Sequence, residues 1–203
     1  MEIRTATPND AAHVAPLIYS AGPELYDFIY KTGKHSAQDF IEFEFRSGKG
    51  FCGHRHVSVV AQNGQAVASG CFFDDKQFKA RTLQTVVNMF KFYGPIQVWP
   101  ALRRSMHVES VMKPPKSGEV YLSNFGVNPA MRGQGLGSEL VTHKVKEAKA
   151  AGYKVFGLDV ASTNPRAENL YNRLGLTFVK QKRFTGKRAG IAVPDGRKME
   201  MVL

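Results

Sequence analysis

Six residues, Arg132-Gly133-Gln134-Gly135-Leu136-Gly137, join an apolar run, Val120 to Val127, to a segment of helical period, Leu136 to Ala151. Glycines at a strand-to-helix junction let the backbone come close to a ligand, because no Cβ stands in the way. The first amides of the new helix lack internal partners and point outward at the positive end of the helix dipole. Such a junction suits a phosphate or a pyrophosphate; a tight glycine turn without a ligand is the plain alternative. Two phosphate-binding registers are excluded. A P-loop needs Lys and then Ser or Thr after its last glycine, and Gly137 is followed by Ser138-Glu139. A dinucleotide fingerprint needs the register G-x-G-x-x-G, and the glycines here stand at 133, 135 and 137.

The elements that must position this loop are legible on both sides of it. Upstream, Asn128-Pro129 closes the apolar strand. Downstream, Tyr153 to Ala161 reads as a second apolar strand between Gly152 and Ser162-Thr163-Asn164-Pro165. Asn164 can cap a helix, and Pro165 at its first position loses no useful donor. That helix carries Ala167, Leu170, Tyr171 and Leu174 at helical spacing and stops at Gly175.

The pattern R-x-x-G-x-G at Arg132, Gly135 and Gly137 resembles the acetyl-CoA pyrophosphate loop of the GCN5-related N-acetyltransferases. Asn164, Ala167, Leu170, Tyr171 and Gly175 resemble a second signature of that family, N-x-x-A-x-x-L-Y-x-x-x-G-F, with Leu176 in place of the usual Phe. The two signatures stand in order over the segment 120–179. The resemblance implies an acyl-CoA N-acyltransferase fold: a mixed α/β structure whose central sheet is mostly antiparallel. Two adjacent parallel strands, here Val120–Val127 and Tyr153–Ala161, splay apart around the cofactor. It implies one N-acetyltransferase domain over 1–203, with its cofactor-binding core at 120–179.

The same resemblance assigns roles. Val127 through its backbone, and the amides of Arg132, Gly133, Gln134, Gly135, Leu136, Gly137 and Ser138, would carry acetyl-CoA. Asn164 would hold the pantetheine arm or a water beside it, while also serving as a helix cap. Tyr171 would protonate the departing CoA thiolate, for which a phenol with pKa about 10 is neutral and available. A base matters because the attacking amine must be neutral. A lysine-type amine costs roughly 4–5 kcal/mol to deprotonate at neutral pH, and an α-amine about 1. Asp159, in Leu158-Asp159-Val160, stands where relatives carry Glu in a Leu-Glu-Val triplet, at the same interval from the Tyr. Asp is one methylene shorter, so Asp159 is a base or else a carboxylate that orders a water or a neighbouring amide.

Elsewhere the chain reads as a strand at Ile3 to Ala6 and helices at about Asn9 to Tyr30 and Ser36 to Arg46. A hairpin follows, Val57 to Ala61 and Ala66 to Phe73, turning at Asn63-Gly64. Asp74 to Tyr93 and Pro100 to Met112 read as helices, with Pro95 and Pro100 breaking the stretch between. Lys113-Pro114-Pro115-Lys116 reads as a rigid connector, and Phe178 to Phe184 and Lys198 to Leu203 as closing strands. Alternating strands and helices with an antiparallel hairpin and tail argue for a mixed α/β sheet.

The chain has 203 residues and a formal net charge of +11. This charge invites a nucleic-acid reading, but it equally suits an enzyme that binds a polyanionic cofactor. No basic stripe is present; the densest cluster, Lys180 to Arg188, reads as a solvated strand edge. No apolar run is long enough for a membrane span, and two cysteines imply no disulfide framework. The expectation is a cytoplasmic transferase that takes an amine acceptor and binds neither nucleic acid nor membrane, with a homodimer left open. Cys52, His54 and His56 alternate as on one strand face, yet no fourth ligand is evident and no metal is expected. By resemblance the acceptor lies against the early helices and the loops before the central strand. Those regions are rich in Phe and Tyr, including Tyr26, Tyr30, Phe40, Phe92 and Tyr93. Such rings bury as core by default, or line a pocket for an apolar or cationic amine. A catalytically silent CoA-binding module on the same fold is the alternative to an enzyme.

Overall fold

The computed structural model describes residues 1–203, apart from the side chain of Glu109. In chain order the elements are β1 (Glu2–Thr5), α1 (Ala11–Ser20), α2 (Pro23–Tyr30), α3 (Ala37–Ser47), β2 (Val57–Gln62), β3 (Gln65–Phe73) and α4 (Asp75–Ser105). They continue with β4 (Glu119–Val127), α5 (Leu136–Ala150), β5 (Val155–Ala161), α6 (Pro165–Arg173), β6 (Thr177–Lys182) and β7 (Gly196–Val202). The strands form one seven-stranded sheet in the order β1-β2-β3-β4-β5-β7-β6. Every neighbouring pair is antiparallel except β4 with β5.

That one parallel pair is short. β4 and β5 pair only from Glu119–Leu122 against Val155–Leu158. Beyond Leu122, β4 stays with β3, while β5 stays with β7 to Ala161, so the two strands part. The parting coincides with a bulge: Ser69 pairs with Gly126 and Cys71 with Ser123, so Asn124 and Phe125 together oppose Gly70. Asn124 takes φ 55°, a left-handed conformation that Asn tolerates better than most residues. Its side chain pins the bulge, accepting from Tyr26 Oη and donating from Nδ2 to the Phe51 carbonyl at 3.3 Å. A bulge bends its strand and re-aims the side chains beside it.

Period-two alternation sorts the sheet into two faces. On one, Val57, Val59, Cys71, Phe73 and Tyr121 pack with Val14 and Ile18 of α1 and Ile41 and Phe45 of α3. On the other, Phe72, Leu122, Phe156, Leu158 and Val160 pack with Leu136, Leu140 and Val141 of α5 and Tyr171 of α6. A third cluster joins α2, α3 and α4 through Phe28, Tyr30, Phe40, Met89, Tyr93, Val98 and Ala101.

Several elements differ from the sequence expectation. The first long helix is two, α1 and α2, separated at Ala21-Gly22 with Pro23 opening the second. The helix after the hairpin is not broken between Pro95 and Pro100. It runs to Ser105 and kinks at Gly94, whose φ of 77° and ψ of 172° suit glycine alone, and Pro95 starts its second half. The segment after Ser105 continues as a 3-10 turn, Met106–Ser110, instead of an α-helix to Met112. His54–His56 also form a 3-10 turn, so Cys52, His54 and His56 do not share a strand face. Lys180 to Arg188 is not uniformly solvated. Lys182 is buried, and Arg188 donates to the carbonyls of Asp27, Phe28 and Lys31. The Asn63-Gly64 turn is as expected, with both residues at positive φ. No helix of the described residues is long and apolar enough to cross a membrane.

Candidate functional site

The junction between β4 and α5 is built from the chain's own small bonds. Asn128 Oδ1 accepts from the Ala130 amide and starts a 3-10 turn, Pro129–Met131. Arg132 Nε then donates to the Val127 carbonyl at 3.2 Å, folding the loop back onto the end of β4. Gly133 and Gly135 take φ of 86° and 81°, and the space where a Cβ would stand is open at both. Gly135 caps α5 without a side-chain hydrogen bond, so the amides at the helix start keep their donors for something else. Gly137 is different. A Cβ there would lie 2.9 Å from Phe125 Cζ and 3.2 Å from Val127 Cγ2, so this glycine lets α5 sit close against β4.

A cavity of about 480 Å³ lies in front of these amides. Its walls include Val127, Arg132, Gly133, Gly135, Leu136, Gly137, Ser138, Asp159, Asn164 and Tyr171. Of the residues expected at the site, Gln134 alone is absent from the wall. It stands exposed between the two left-handed glycines, with its Nε2 3.8 Å from Met131 Sδ. Arg166 and Arg173, at the two ends of α6, also line the cavity. The sequence reading missed both because they occupy unspecified positions of the second signature. Free amides at a helix start, open glycines and three arginines fit a polyanionic ligand.

Tyr171 is 5 % exposed, its ring centroid 6.2 Å from that of Phe125. Burial pushes its phenol well above the ordinary value, which keeps it protonated across the physiological range. Asn164 Oδ1 accepts from the Ala167 amide at 3.0 Å, the cap that the sequence anticipates.

Asp159 sits on the opposite face of the sheet from Tyr171. Leu158 and Val160 point into the cluster that holds Tyr171, so Asp159 between them points the other way. There its Oδ2 accepts from Tyr121 Oη and from Lys182 Nζ, each at 2.6 Å, while Oδ1 is buried with no partner. Lys182 stands opposite Gly196 of β7, and Gly196 opposite Ala161 of β5. The Lys182 ammonium thus reaches Asp159 across β7. Burial lowers the pKa of Lys182 and Asp159 opposes that shift, whereas burial and Asp159 together hold the Tyr121 phenol protonated. Tyr121 was invisible as a site residue because nothing local marks it. For Lys182 the only signal was membership of a basic cluster.

A second cavity, of about 600 Å³, opens on the Asp159 side. It shares Ser20, Ala21, Leu122, Ser123, Asn124, Asp159, Val160, Ala161 and Asn164 with the first, so the two meet where β4 and β5 part, beside the end of α1. Further walls come from α2, α4, the Phe51-Cys52 loop, the stretch from Ser105 to Met112 and the segment Val193–Gly196. Tyr26 therefore lines a cavity, Tyr30 lines it from within the third core cluster, and Phe40 and Tyr93 are core.

Comparison with known proteins gives a consistent result. Solved structures similar over nearly the whole chain include an acetyltransferase at 20 % identity, with a TM-score of 0.70 over 100 % of this chain and 99 % of that one. Another is an N-acetyltransferase from Staphylococcus aureus, at 19 % identity and a TM-score of 0.72 over 99 % and 100 % of the two chains. At such identities the likeness speaks for the fold. Among curated proteins, the [ribosomal protein bS18]-alanine N-acetyltransferase of Haemophilus ducreyi is 28 % identical over 85 residues, 42 % of this chain. The match spans 55 % of that relative, about half its length. The family model described as "Acetyltransferase (GNAT) family" matches residues 24–176, a span that takes in the parted strands β4 and β5, the glycine loop and all of α6. With well over half of its sequence inside that match, the chain belongs to the acetyltransferase (GNAT) family.

Proposed function

We propose that this protein transfers the acetyl group of acetyl-CoA to a primary amine by direct attack within a ternary complex. The observation that carries the reading is the meeting of two cavities at the parted strands, with Tyr171 on one side of the sheet and Asp159 on the other. Acetyl-CoA supplies an acyl thioester, whose carbonyl carbon is open to attack by a neutral amine. The amides at the start of α5, with Arg132, Arg166 and Arg173, would hold its phosphates, and Asn164 lines both cavities.

Asp159 Oδ2 is engaged by Tyr121 and Lys182, which leaves Oδ1 as the carboxylate oxygen without a partner, the one to take a proton from the acceptor directly or through a water. The amine nitrogen would bond to the acetyl carbon as the carbon–sulfur bond breaks, the nitrogen's proton leaving towards Oδ1 and the Tyr171 phenol giving a proton to the departing thiolate. The ion pair with Lys182 favours a second role for Asp159 as well: a fixed negative charge that orients the incoming amine. Release of free CoA with a panel of amines tests the proposal. Binding of acetyl-CoA without release on any amine would turn the reading towards a silent CoA-binding module.

A further inference from the structure

Independently of the acetyl-transfer reading, we propose that the outer face of α4 pairs two copies of this chain into a homodimer. This helix has its polarity reversed. Before the kink at Gly94 most of its buried side chains are polar: Arg81, Thr85 and Asn88, against Met89 and Tyr93. Arg81 donates to the Phe72 carbonyl, Thr85 Oγ1 accepts from the Phe51 amide, and Asn88 Nδ2 donates to Glu44 Oε1. Apolar side chains stand outside instead. Leu83 is 66 % exposed, Val87 43 % and Phe90 38 %, and past the kink Ile96 is 83 % and Trp99 62 % exposed. The Trp99 ring lies against that of Phe90, with centroids 6.1 Å apart, so one patch spans both halves of the helix. A helix that turns polar groups inward and shows an apolar stripe to water calls for a cover.

The stripe fits a second copy of itself. Ala80, Leu83, Val87, Phe90 and Gly94 follow the alternating three- and four-residue spacing of a heptad seam. Run antiparallel about a two-fold axis between Leu83 and Val87, the seam sets Leu83 of one copy against Val87 of the other, and Ala80 against Phe90. Each layer then places a smaller side chain against a larger one, as a self-complementary interface requires. Gln77, Gln84 and Lys91 follow one edge of the stripe. Antiparallel pairing lays that edge along itself, so Lys91 meets the neutral Gln77 and no lysine faces a lysine there. The area is sufficient. With about 150–250 Å² on a large ring and less on an aliphatic side chain, the five exposures amount to on the order of 500 Å² per copy. Two copies, with Ala80, Gln84 and Lys91 at the margins, reach the roughly 1,200 Å² at which stable interfaces begin.

The test is light scattering on the purified full chain after gel filtration, over a range of loading concentrations. The mass should rise from one chain to two with concentration. It should do so at lower concentration in high salt, because two copies of net charge +11 repel each other. Leu83→Glu and Val87→Glu, at positions open to water in a single copy, should each weaken pairing by about tenfold or more with circular dichroism unchanged. Leu83→Glu joined to Val87→Lys should pair better than Val87→Lys alone, because unlike charges then face each other across the axis. A single-chain mass at every concentration overturns the proposal, and co-sedimentation of that single chain with vesicles containing phosphatidylserine would reassign the face to a lipid surface. A dimer untouched by Leu83→Glu and Val87→Glu overturns it as well, since pairing then lies elsewhere. A double variant no better paired than Val87→Lys overturns the antiparallel register.

Discussion

Tyr171 and Asp159 are held in opposite ways, and their variants should fail differently. Tyr171 packs its ring in a core cluster and makes no hydrogen bond within the described residues, so Tyr171→Phe removes one hydroxyl from a site that keeps its packing. Turnover should fall by about 10²–10⁴ with acetyl-CoA affinity little changed. Activity within a few-fold of the parent on the best acceptor would take the phenol out of the chemistry. Asp159 is tied to Tyr121 and Lys182. If it assists deprotonation, Asp159→Asn should recover activity as pH rises, because more of the acceptor amine is then neutral unaided. Tyr171→Phe should show no such recovery, since raising the pH does nothing to protonate a thiolate. Parallel pH–rate profiles for the two variants would show that Asp159 does not take the proton.

At the scale of the element, the glycine loop divides into two physical jobs. Gly135 is left-handed and faces open space, whereas Gly137 faces the side chains of Phe125 and Val127. Gly135→Asp should abolish measurable acetyl-CoA binding by placing a negative charge beside the anion site, with circular dichroism unchanged. Gly137→Ala should act through packing. A methyl 2.9 Å from the tip of the Phe125 ring makes that ring turn or α5 move off β4, at a cost of about 1–3 kcal/mol, read as a lowered melting temperature before any effect on affinity. Equal melting temperatures for Gly137→Ala and the parent would mean that the Phe125 ring or the helix gives way without strain.

For the whole molecule, charge and buried bases set the response to salt and acid. Acetyl-CoA affinity should weaken as salt rises, since the screening length shrinks from about 10 Å at 0.1 M to about 3 Å at 1 M. A salt-independent affinity would remove long-range attraction by the net charge of +11 from the account. His56 adds an acid-sensitive contribution. Burial first, then Arg81, His54 and Arg55, lower its pKa from 6.5 to about 4. The unfolded chain therefore binds this proton first, and folding loses stability as pH falls from about 6.5 towards about 4. Above pH 6.5 the contribution is fully present. His56→Gln should flatten the stability slope in that window, and an unchanged slope would assign it to other groups.

Much of the cofactor side was legible because its determinants are local. Arg132, Gly135, Gly137, Asn164 and Tyr171 lie within two short strand–turn–helix units, and turn geometry, capping and helical period are properties of neighbouring residues. The same locality gave the Asn63-Gly64 hairpin. It did not extend to Gly94, where two prolines suggested a longer break than the single left-handed glycine makes. The acceptor side was decided by tertiary structure alone. Tyr121, Asp159 and Lys182 come from three strands, and Lys182 reaches Asp159 across β7, the strand between the last two. Tyr26 and Asn124 are 98 positions apart, yet their bond holds the bulge at the parting of β4 and β5. Sequence periodicity says which face of an element is apolar. Whether rings on that face fill a core, as Phe40 does, or line a cavity, as Tyr26 does, depends on which other element arrives to cover them.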